Sequence, residues 1–392
     1  MWIPRIYDEA LNALFAQFPA VAITGARQVG KTALVQHAFP NIKYVSLDLP
    51  SVAAQAENNP EAFFNSYGLP LIIDEVQYAP SLFRYLKAII DADRKPGRLI
   101  LTGSQVFQLM EGVTESLAGR CGMLTVMNLS AEEMLNYTGE KTFNETDFLF
   151  NGGYPELHAR PEMDRHLWYA AYLTTYLERD VRNILNVGSL RDFDRFLRAV
   201  AARTGQVLSY SDLARDVGIA PNTAKKWISV LQASGQVFLL EPYFRNISKR
   251  LVKSPKLYMC DTGLAAFLMG FESWQALERH PAAGQLWETY VIMEVVKFFF
   301  SRGRNVPLWF WRTARGDEVD LIVERNGRAT AIECKLTEVA DKSGVKGLNA
   351  FAKDYGPENV KGRYVACRTS RAYPLDSETN AIPGSRLFEY LR

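Results

Sequence analysis

The chain has 392 residues, of which 48% are hydrophobic and 12% aromatic. This length is too great for one compact core, so two to four domains are expected. The net charge of +2 excludes binding of nucleic acid through an overall basic field, and such a partner would need a local basic patch. The four cysteines are far apart and lack CxxC spacing, which argues against a zinc site or disulfide framework and favours a reducing cytoplasm. The most apolar window, YVIMEVVKFFF, contains Glu294 and Lys297 and is too short to span a bilayer, so we expect no membrane segment and a cytoplasmic location.

A glycine-bounded loop follows the first predicted strand. In PAVAITGARQVGKTALVQHAF, an apolar strand, a loop and a helix follow one another, and residues 25–32 fit G-x-x-x-x-G-K-[ST]. Glycines in such a loop let backbone N–H groups surround phosphates, and the N-terminal end of the helix favours negative charge. Lys31 is expected to reach the β- and γ-phosphates, and Thr32 to bind Mg²⁺. The predicted nucleotide-binding residues of this loop are Gly25, Ala26, Arg27, Gln28, Val29, Gly30, Lys31 and Thr32.

Three further apolar strands are predicted at residues 44–49, 69–77 and 98–105. The second carries Asp74, which suits the water shell of Mg²⁺, and Glu75, which can polarise an attacking water. The third carries Ser104 and Gln105, which are suited to sensing a γ-phosphate. Strands that alternate with helices predict an α/β fold with a parallel sheet and a ligand at the carboxyl ends of its strands. Lys31, Glu75 and Ser104 are therefore predicted as catalytic residues.

Arg120 lies between a predicted helix and the next strand, in ESLAGRCGMLTV. Some nucleoside triphosphatases supply an arginine from such a position to the γ-phosphate held by a neighbouring subunit, and Arg120 is a fourth candidate catalytic residue on that basis. Pairing with Glu115 or capping of a helix explains the same arginine equally well. Both interpretations are open from the sequence.

The middle of the chain is predicted to be helical, followed by a winged helix. Residues 131–204 have apolar residues at helical spacing with one interruption, NGGYPE, and are predicted to form a lid or connector. Within 205–254, SYSDLARDV predicts a helix, Gly218 a turn, PNTAKKWISVLQASG a second helix and VFLLEPYF the start of a wing. The second helix would enter a major groove, although a winged helix can also act only as a connector. The expected DNA-binding residues are Asn222, Thr223, Lys225, Lys226, Arg245, Lys249 and Arg250.

The C-terminal region predicts a helix and a β-hairpin that carry acidic residues. QLWETYVIMEVVKFFFSR predicts an amphipathic helix with Glu288, and LWFWRT predicts a strand. VDLIVERNGRATAIECKL predicts two strands joined by an Asn-Gly turn. Glu333 and Lys335 would share a face of one strand, and Asp320 can meet them across the hairpin. Asp320, Glu333 and Glu288 are candidate ligands of Mg²⁺ or Mn²⁺, and Lys335 could orient or deprotonate water for attack on a phosphodiester.

The order GARQVGKT, LIIDEVQ, LTGSQ, SLAGR, GGYPE and YLERDVR resembles a widespread family of prokaryotic AAA-type ATPases over essentially the whole chain. The resemblance implies ATP and Mg²⁺ as cofactors and nucleotide-dependent assembly or switching, including a homo-oligomer or hexameric ring. The C-terminal domain of that family resembles the restriction-endonuclease-like fold, which also occurs as a DNA-binding module that does not cut. The predicted domains are a P-loop AAA-type ATPase domain (1–130), a helical lid (131–204), a winged helix–turn–helix (205–254) and a restriction-endonuclease-like α/β domain (255–392).

These features together predict a Mg²⁺-dependent ATPase that acts on DNA, with branched or damaged DNA as the expected substrate class. Two alternatives stay open. One is a signalling NTPase switch whose C-terminal domains hold protein partners. The other is a DNA nuclease gated by ATP.

Overall fold

The structure, a computed structural model, describes residues 2–103, 113, 116–176, 190–244 and 254–391. Five residues with predicted roles lie outside the described residues: Ser104, Gln105, Arg245, Lys249 and Arg250. Within the described ranges, no helix is both long enough and apolar enough to cross a membrane.

The N-terminal region forms a five-stranded sheet in which every pairing is parallel and the strand order is β2-β3-β4-β1-β5. The strands are β1 (Ala20–Thr24), β2 (Lys43–Ser46), β3 (Leu71–Asp74), β4 (Leu99–Thr102) and β5 (Cys121–Thr125). The helices are α1 (Asp8–Gln17), α2 (Lys31–Ala38), α3 (Pro50–Asn58), α4 (Pro60–Tyr67) and α5 (Leu82–Ala92). Alternate residues of β1 face different cores: Val21 packs in a cluster with Leu11 and Leu34, whereas Ala22 packs in a cluster with Phe63 and Leu86. Helices thus cover both faces, which is why the central strands are apolar throughout, and the predicted parallel α/β sheet is confirmed.

The middle region is helical but has more breaks than predicted. Its helices are α6 (Ala131–Thr138), α7 (Glu145–Asn151), α8 (Pro155–Ala159), α9 (Arg165–Tyr176) and α10 (Leu190–Ala201). The expectation of a single interruption at NGGYPE is wrong, because α6 ends at Gly139 and α7 begins after Asn144. Gly139 has a φ of 82°, and the side chain of Asn144 accepts hydrogen bonds from the first N–H groups of α7. Both residues are preferred at such helix ends.

The two helices predicted in this region are present as α11 (Tyr210–Val217) and α12 (Pro221–Ala233). Gly218 ends α11 in the left-handed conformation, with φ 82° and ψ 36°, and Pro221 is the first residue of α12. A three-stranded antiparallel sheet in the order β6-β8-β7 packs with these helices. Its strands are β6 (Gln206–Val207), β7 (Val237–Leu240) and β8 (Lys256–Met259).

The C-terminal region contains a six-stranded mixed sheet in the order β13-β14-β12-β11-β10-β9. The strands are β9 (Leu308–Arg312), β10 (Glu318–Arg325), β11 (Arg328–Cys334), β12 (Val360–Cys367), β13 (Tyr373–Pro374) and β14 (Thr379–Pro383). The helices are α13 (Thr262–Leu268), α14 (Trp274–Glu278), α15 (Ala282–Phe300) and α16 (Val345–Tyr355). The predicted hairpin is confirmed: Arg325 pairs with Arg328, and Asn326 and Gly327 between them have φ values of 53° and 74°. Positive φ at both central residues is typical of a type I′ turn.

Helix α15 is not the amphipathic helix that the sequence predicts, because it is buried on nearly every side. On one side, Trp287 Nε1 donates to the backbone oxygen of Ala366 in β12 at 3.1 Å. On another, Glu294 accepts the N–H of Ala131 at 2.6 Å and pairs with Lys297 at 2.9 Å. The charges of Glu294 and Lys297 therefore pair with each other, and Glu294 also accepts a hydrogen bond from the first residue of α6, so neither charge needs to face water. A continuous apolar cluster runs from α1 through the middle helices to α15 and the C-terminal sheet.

Candidate nucleotide site and carboxylate cluster

The predicted phosphate loop connects β1 to α2 at the carboxyl edge of the first sheet. Gly25 and Gly30 have φ values of 144° and 87°, and a Cβ at Gly25 would lie 2.1 Å from the backbone oxygen of Val126. Only glycine fits Gly25's position. The buried Lys31 Nζ donates to the backbone oxygens of Gly25 at 3.0 Å and Ala26 at 2.8 Å. The lysine is therefore held against the loop that is predicted to bind phosphate.

Asp74, the last residue of β3, accepts hydrogen bonds from three hydroxyl groups. Thr32 Oγ1 donates at 2.9 Å and Tyr44 Oη at 2.7 Å to Oδ2, and Thr102 Oγ1 donates to Oδ1. Burial, together with the hydrogen bond to Asp74, raises the pKa of Tyr44, which keeps this hydroxyl a donor. Thr32 and Asp74 thus meet as predicted, and an alcohol and a carboxylate are ligands that Mg²⁺ prefers. Tyr44 and Thr102 were not predicted, although both lie on strands next to β3.

Backbone strain coincides with this site. Glu75 is left-handed, with φ 55° and ψ 45°, and accepts a hydrogen bond from Gln77 Nε2. Gln28 in the phosphate loop has a φ of 62°. Outside the Asn326 turn, these are the non-glycine residues with positive φ in the described part of the chain. Such conformations cost about 1–3 kcal/mol each and concentrate at functional sites, which favours a functional role for both segments.

Arg120 lies at the opposite edge of the sheet from the phosphate loop. Its backbone oxygen accepts the N–H of Ala20, the first residue of β1, at 3.3 Å. Its side chain donates from Nε and Nη2 to both carboxylate oxygens of Asp91 in α5, at 2.7 and 3.0 Å. This pairing raises the pKa of Arg120 and lowers that of Asp91. Among the described residues, the partner of Arg120 is Asp91, and Glu115 lies outside them. The position of Arg120 at the far edge of the sheet excludes contact with a nucleotide on the same chain. A role toward a neighbouring chain stays a prediction.

Arg5 is a buried partner of the phosphate loop that sequence reasoning missed. Its Nη1 donates to the backbone oxygen of Val29 at 2.6 Å, and its Nη2 to that of Met127 at 2.7 Å. Its Nε pairs with Glu133 at 2.6 Å, and the two side chains are only 2% and 1% exposed. Burial lowers the pKa of Arg5, but the charges of Glu133 and Tyr7 and the hydrogen bond to Glu133 together outweigh burial, so the pKa is raised overall. The Ser130–Glu133 capping box can be read from the sequence, whereas the arginine that binds it cannot.

The glycine pair of NGGYPE has a structural explanation in Asp261. The buried carboxylate accepts four hydrogen bonds, from Asn128 Nδ2 (2.5 Å), Gly153 N (2.7 Å), Leu264 N (2.6 Å) and Tyr169 Oη (2.8 Å). A Cβ at Gly152 would lie 2.3 Å from Asp261 Oδ1, and a Cβ at Gly153 would lie 2.5 Å from the backbone oxygen of Leu129. Only glycines allow this approach, so the motif joins the segment after β5 to the start of α13.

The turn after α12 contacts the phosphate loop. A Cβ at Gly235 would lie 3.4 Å from the backbone nitrogen of Ala26. Gln236 Nε2 donates to Tyr172 Oη at 2.9 Å, and the backbone oxygen of Gln236 accepts the N–H of Cys260 at 2.9 Å. The far end of β8, which stops one residue before Cys260, therefore lies close to the nucleotide loop.

The acidic residues predicted in the C-terminal region converge, and an unpredicted lysine lies among them. Lys256 Nζ, from β8, is 2.9 Å from Glu288 Oε1, 2.6 Å from Glu318 Oε1 and 3.4 Å from Asp320 Oδ1. Glu333 pairs with Lys335 at 2.8 Å. We call Glu288, Glu318, Asp320 and Glu333 the carboxylate cluster.

The predicted metal site of Glu288, Asp320 and Glu333 does not fit a metal in this arrangement. Over the described ranges, no group of three or more His, Cys, Asp or Glu residues is placed to hold a metal ion. In addition, the ammonium of Lys256 already supplies positive charge to the cluster. Its pKa is raised, since its three carboxylate neighbours outweigh burial. Burial and the charge of Asp320 raise the pKa of Glu288 to about 7, against the opposing effect of Lys256. Burial and Asp320 also raise the pKa of Glu333, against the opposing effect of Lys335.

The predicted DNA-facing part of α12 points away from the core. Asn222, Lys225 and Lys226 are exposed and Thr223 is half-buried, whereas the inward residues of the helix include Trp227. Neither lysine takes part in an ion pair with any residue that the structure describes. The arrangement is compatible with contacts to phosphate, which remain a prediction.

The sheet order and the loop together define an AAA-type P-loop domain, and comparisons with known proteins agree. Residues 17–135 match the model of an AAA domain, and residues 143–275 and 283–387 match two domains of unknown function, DUF8612 and DUF4143. The chain is 32% identical over 380 residues to the uncharacterized protein Rv2008c of Mycobacterium tuberculosis, covering 94% of this chain and 81% of the relative. The uncharacterized protein Mb2031c of Mycobacterium bovis gives the same values. The chain therefore belongs to the family of these mycobacterial proteins.

A solved structure, the Walker-type ATPase PABY2304 of Pyrococcus abyssi, is similar to the chain with a TM-score of 0.43 and 17% identity. The similarity covers 67% of this chain and 94% of that one.

Proposed function

We propose that this protein binds ATP with Mg²⁺ and hydrolyses it. The observation that carries the proposal is the contact of Thr32 with Asp74 at 2.9 Å, beside a buried Lys31 on a glycine-shaped loop. The backbone N–H groups of the loop and the ammonium of Lys31 would bind the phosphates. Thr32 and Asp74 would hold Mg²⁺, which supplies positive charge at the β- and γ-phosphate oxygens when bound.

The remaining residues of this site have supporting roles in the proposal. Tyr44 and Thr102 orient the carboxylate of Asp74 through their hydroxyl groups. Glu75 polarises the attacking water, and Gln77 positions the carboxylate of Glu75. Arg120 would act on the nucleotide of a neighbouring chain, which goes with a homo-oligomer or hexameric ring. The division into domains at 130, 204 and 254 is retained as part of this proposal.

The first test is metal removal. We expect wild-type protein to release phosphate from ATP in the presence of Mg²⁺. Phosphate release should stop when EDTA chelates the metal and should recover when excess Mg²⁺ is added. The reason is that charge on the transferred phosphoryl group is neutralised chiefly by the metal and Lys31. Phosphate release and isothermal titration with ATP measure turnover and binding separately. Absence of ATP binding in the presence of Mg²⁺ would overturn the assignment of the site.

We further propose that the ATPase acts on DNA, with branched or damaged DNA as the candidate substrate. What supports this is the exposed start of α12, where Lys225 and Lys226 have no carboxylate partner among the described residues. The signalling switch and the ATP-gated nuclease stay as alternatives. DNA should stimulate the ATPase rate of a DNA-directed enzyme and leave that of a protein-binding switch unchanged.

The joint substitution Lys225→Ala/Lys226→Ala is expected to weaken DNA binding and to lower the salt dependence of binding by about one unit of slope per lysine. Fluorescence anisotropy with duplex, single-stranded and branched DNA at several salt concentrations measures both effects. The matched control, Lys87→Ala/Lys141→Ala, removes the same charge from exposed lysines on other elements. Equal losses in the two variants would contradict the assignment to α12, and no binding at low salt with any nucleotide would end the DNA proposal.

A further inference from the structure

The ammonium of Lys256 compensates the negative charge of the carboxylate cluster through ion pairs within the protein. This ammonium has three N–H donors and three carboxylates within reach, on α15 and β10, and only 4% of the residue is exposed. The oxygen Oε1 of Glu288 that lies closest to Lys256 also accepts the hydroxyl of Tyr258 at 2.6 Å. The lysine and this tyrosine come from the same strand, β8.

An ammonium and a divalent ion exclude each other in a space of this size. A divalent ion bound by Glu288 and Asp320 would lie about 2–2.6 Å from their oxygens, and so within a few ångströms of Lys256 Nζ. Repulsion between like charges at that distance, in a site shielded from water, is large. Lys256, while it is paired with these carboxylates, therefore prevents a divalent ion from binding. This exclusion requires no change in the position or protonation of the carboxylates.

The cluster nevertheless retains a feature suited to a ligand. Glu333 Oε2 is buried and has no hydrogen-bond partner among the described residues. Asp320 is fixed by the N–H of Cys334 at 2.9 Å. An unpartnered buried carboxylate oxygen is costly, and a bound ion or water is one of the explanations for such an atom.

Strand β8 connects this cluster with the phosphate loop. Lys256 begins the strand, and Cys260, one residue after its end, is bonded to Gln236 in the turn that contacts Ala26. Four residues of extended chain separate the two ends by about 13 Å. Strand β8 pairs with both β6 and β7, so Lys256 is carried by the central strand of this sheet.

We propose that Lys256 is a built-in counter-ion that locks the carboxylate cluster against divalent metal. The metal in question is a hard divalent cation such as Mn²⁺ or Mg²⁺. This proposal concerns the metal site of the nuclease alternative, and it does not depend on ATP hydrolysis. Metal exclusion by Lys256 and ATP hydrolysis can therefore be disproved separately.

The test is Mn²⁺ binding to full-length protein without nucleotide, measured by isothermal titration and by the shift in unfolding temperature on adding Mn²⁺. Lys256→Met keeps the length of the side chain and removes its charge. We expect this variant to bind one Mn²⁺ at least about 10-fold more tightly than wild type and to be stabilised by it, because an ion that binds only folded protein raises stability. Adding Asp320→Asn should abolish the gain.

If Lys256→Met does not fold, a second variant allows the same measurement. Lys256→Met/Glu318→Gln removes one positive and one negative charge together, and leaves Glu288, Asp320 and Glu333 for the ion. We expect it to fold and to bind Mn²⁺ in the same way. Binding of Mn²⁺ by wild-type protein at a site that Asp320→Asn abolishes would overturn the proposal. It would also be overturned if the Lys256 variants fold but bind Mn²⁺ no more tightly than wild type.

Discussion

Replacement of Lys31 by alanine is expected to lower ATP turnover by at least about 100-fold, the typical effect of removing one preorganised group that stabilises transition-state charge. Lys31 is buried and already held against the loop by the backbone oxygens of Gly25 and Ala26. Its ammonium can therefore exchange these acceptors for phosphate oxygens without a large movement of the chain. Phosphate release under saturating ATP and Mg²⁺ measures the loss.

Two further variants separate binding from chemistry. Glu75→Gln is expected to keep ATP affinity within a few-fold of wild type while turnover falls by about 100-fold, because a neutral amide no longer polarises water. Lys87→Ala, at an exposed position on α5, controls for the loss of one positive charge and should leave turnover unchanged. Full turnover in Lys31→Ala would show that ATP is hydrolysed at another site.

Replacement of Arg5 by methionine is expected to destabilise the protein by about 3–5 kcal/mol, as in other proteins that lose one partner of a buried ion pair. Glu133 would be left as a buried charge, and the backbone oxygens of Val29 and Met127 would each lose a donor. Because Val29 belongs to the phosphate loop, ATP affinity should fall as well. The midpoint of urea unfolding and titration with ATP measure the two effects.

The exposed pair of Arg215 and Asp212 on α11 provides a control for Arg5. Its side chains are 73% and 47% exposed, compared with 2% and 1% for Arg5 and Glu133. Arg215→Met should therefore cost only a small fraction of the stability lost in Arg5→Met, since water can solvate the charge that remains on Asp212. The double variant Arg5→Met/Glu133→Gln should recover part of the loss, because no uncompensated charge stays buried. Equal destabilisation by Arg5→Met and Arg215→Met would contradict this account.

Local sequence was sufficient for several elements. The phosphate loop, the Asn326–Gly327 turn and the turn at Gly218 were all predicted from a few consecutive residues. Each depends on glycine or asparagine at a backbone conformation that other residues rarely adopt, and the structure has φ values of 144° at Gly25, 53° at Asn326 and 82° at Gly218. The meeting of Thr32 with Asp74 also followed, because parallel strands end at a common edge.

Long-range pairing could not be predicted in this way. Arg5 and Glu133 are 128 positions apart, and Lys256 and Asp320 are 64 apart. An isolated Arg or Lys in the sequence carries no mark of the carboxylate that it will bind. For the same reason the pairing of Arg120 with Asp91 could not be read from the sequence, which left pairing with Glu115, capping of a helix and a role toward a neighbouring subunit open.

The sequence by itself determined that this protein has a phosphate loop, two helices joined by a turn at Gly218 and a hairpin with Asp320 and Glu333, since local backbone preferences and side-chain periodicity specify each of them. Tertiary structure alone decided what the acidic residues of the hairpin face. In the sequence they are typical of a metal site, whereas in the folded chain β8 places the ammonium of Lys256 among them. The physical reason is that charge compensation depends on distance in space, and a strand from a different part of the chain reaches these carboxylates.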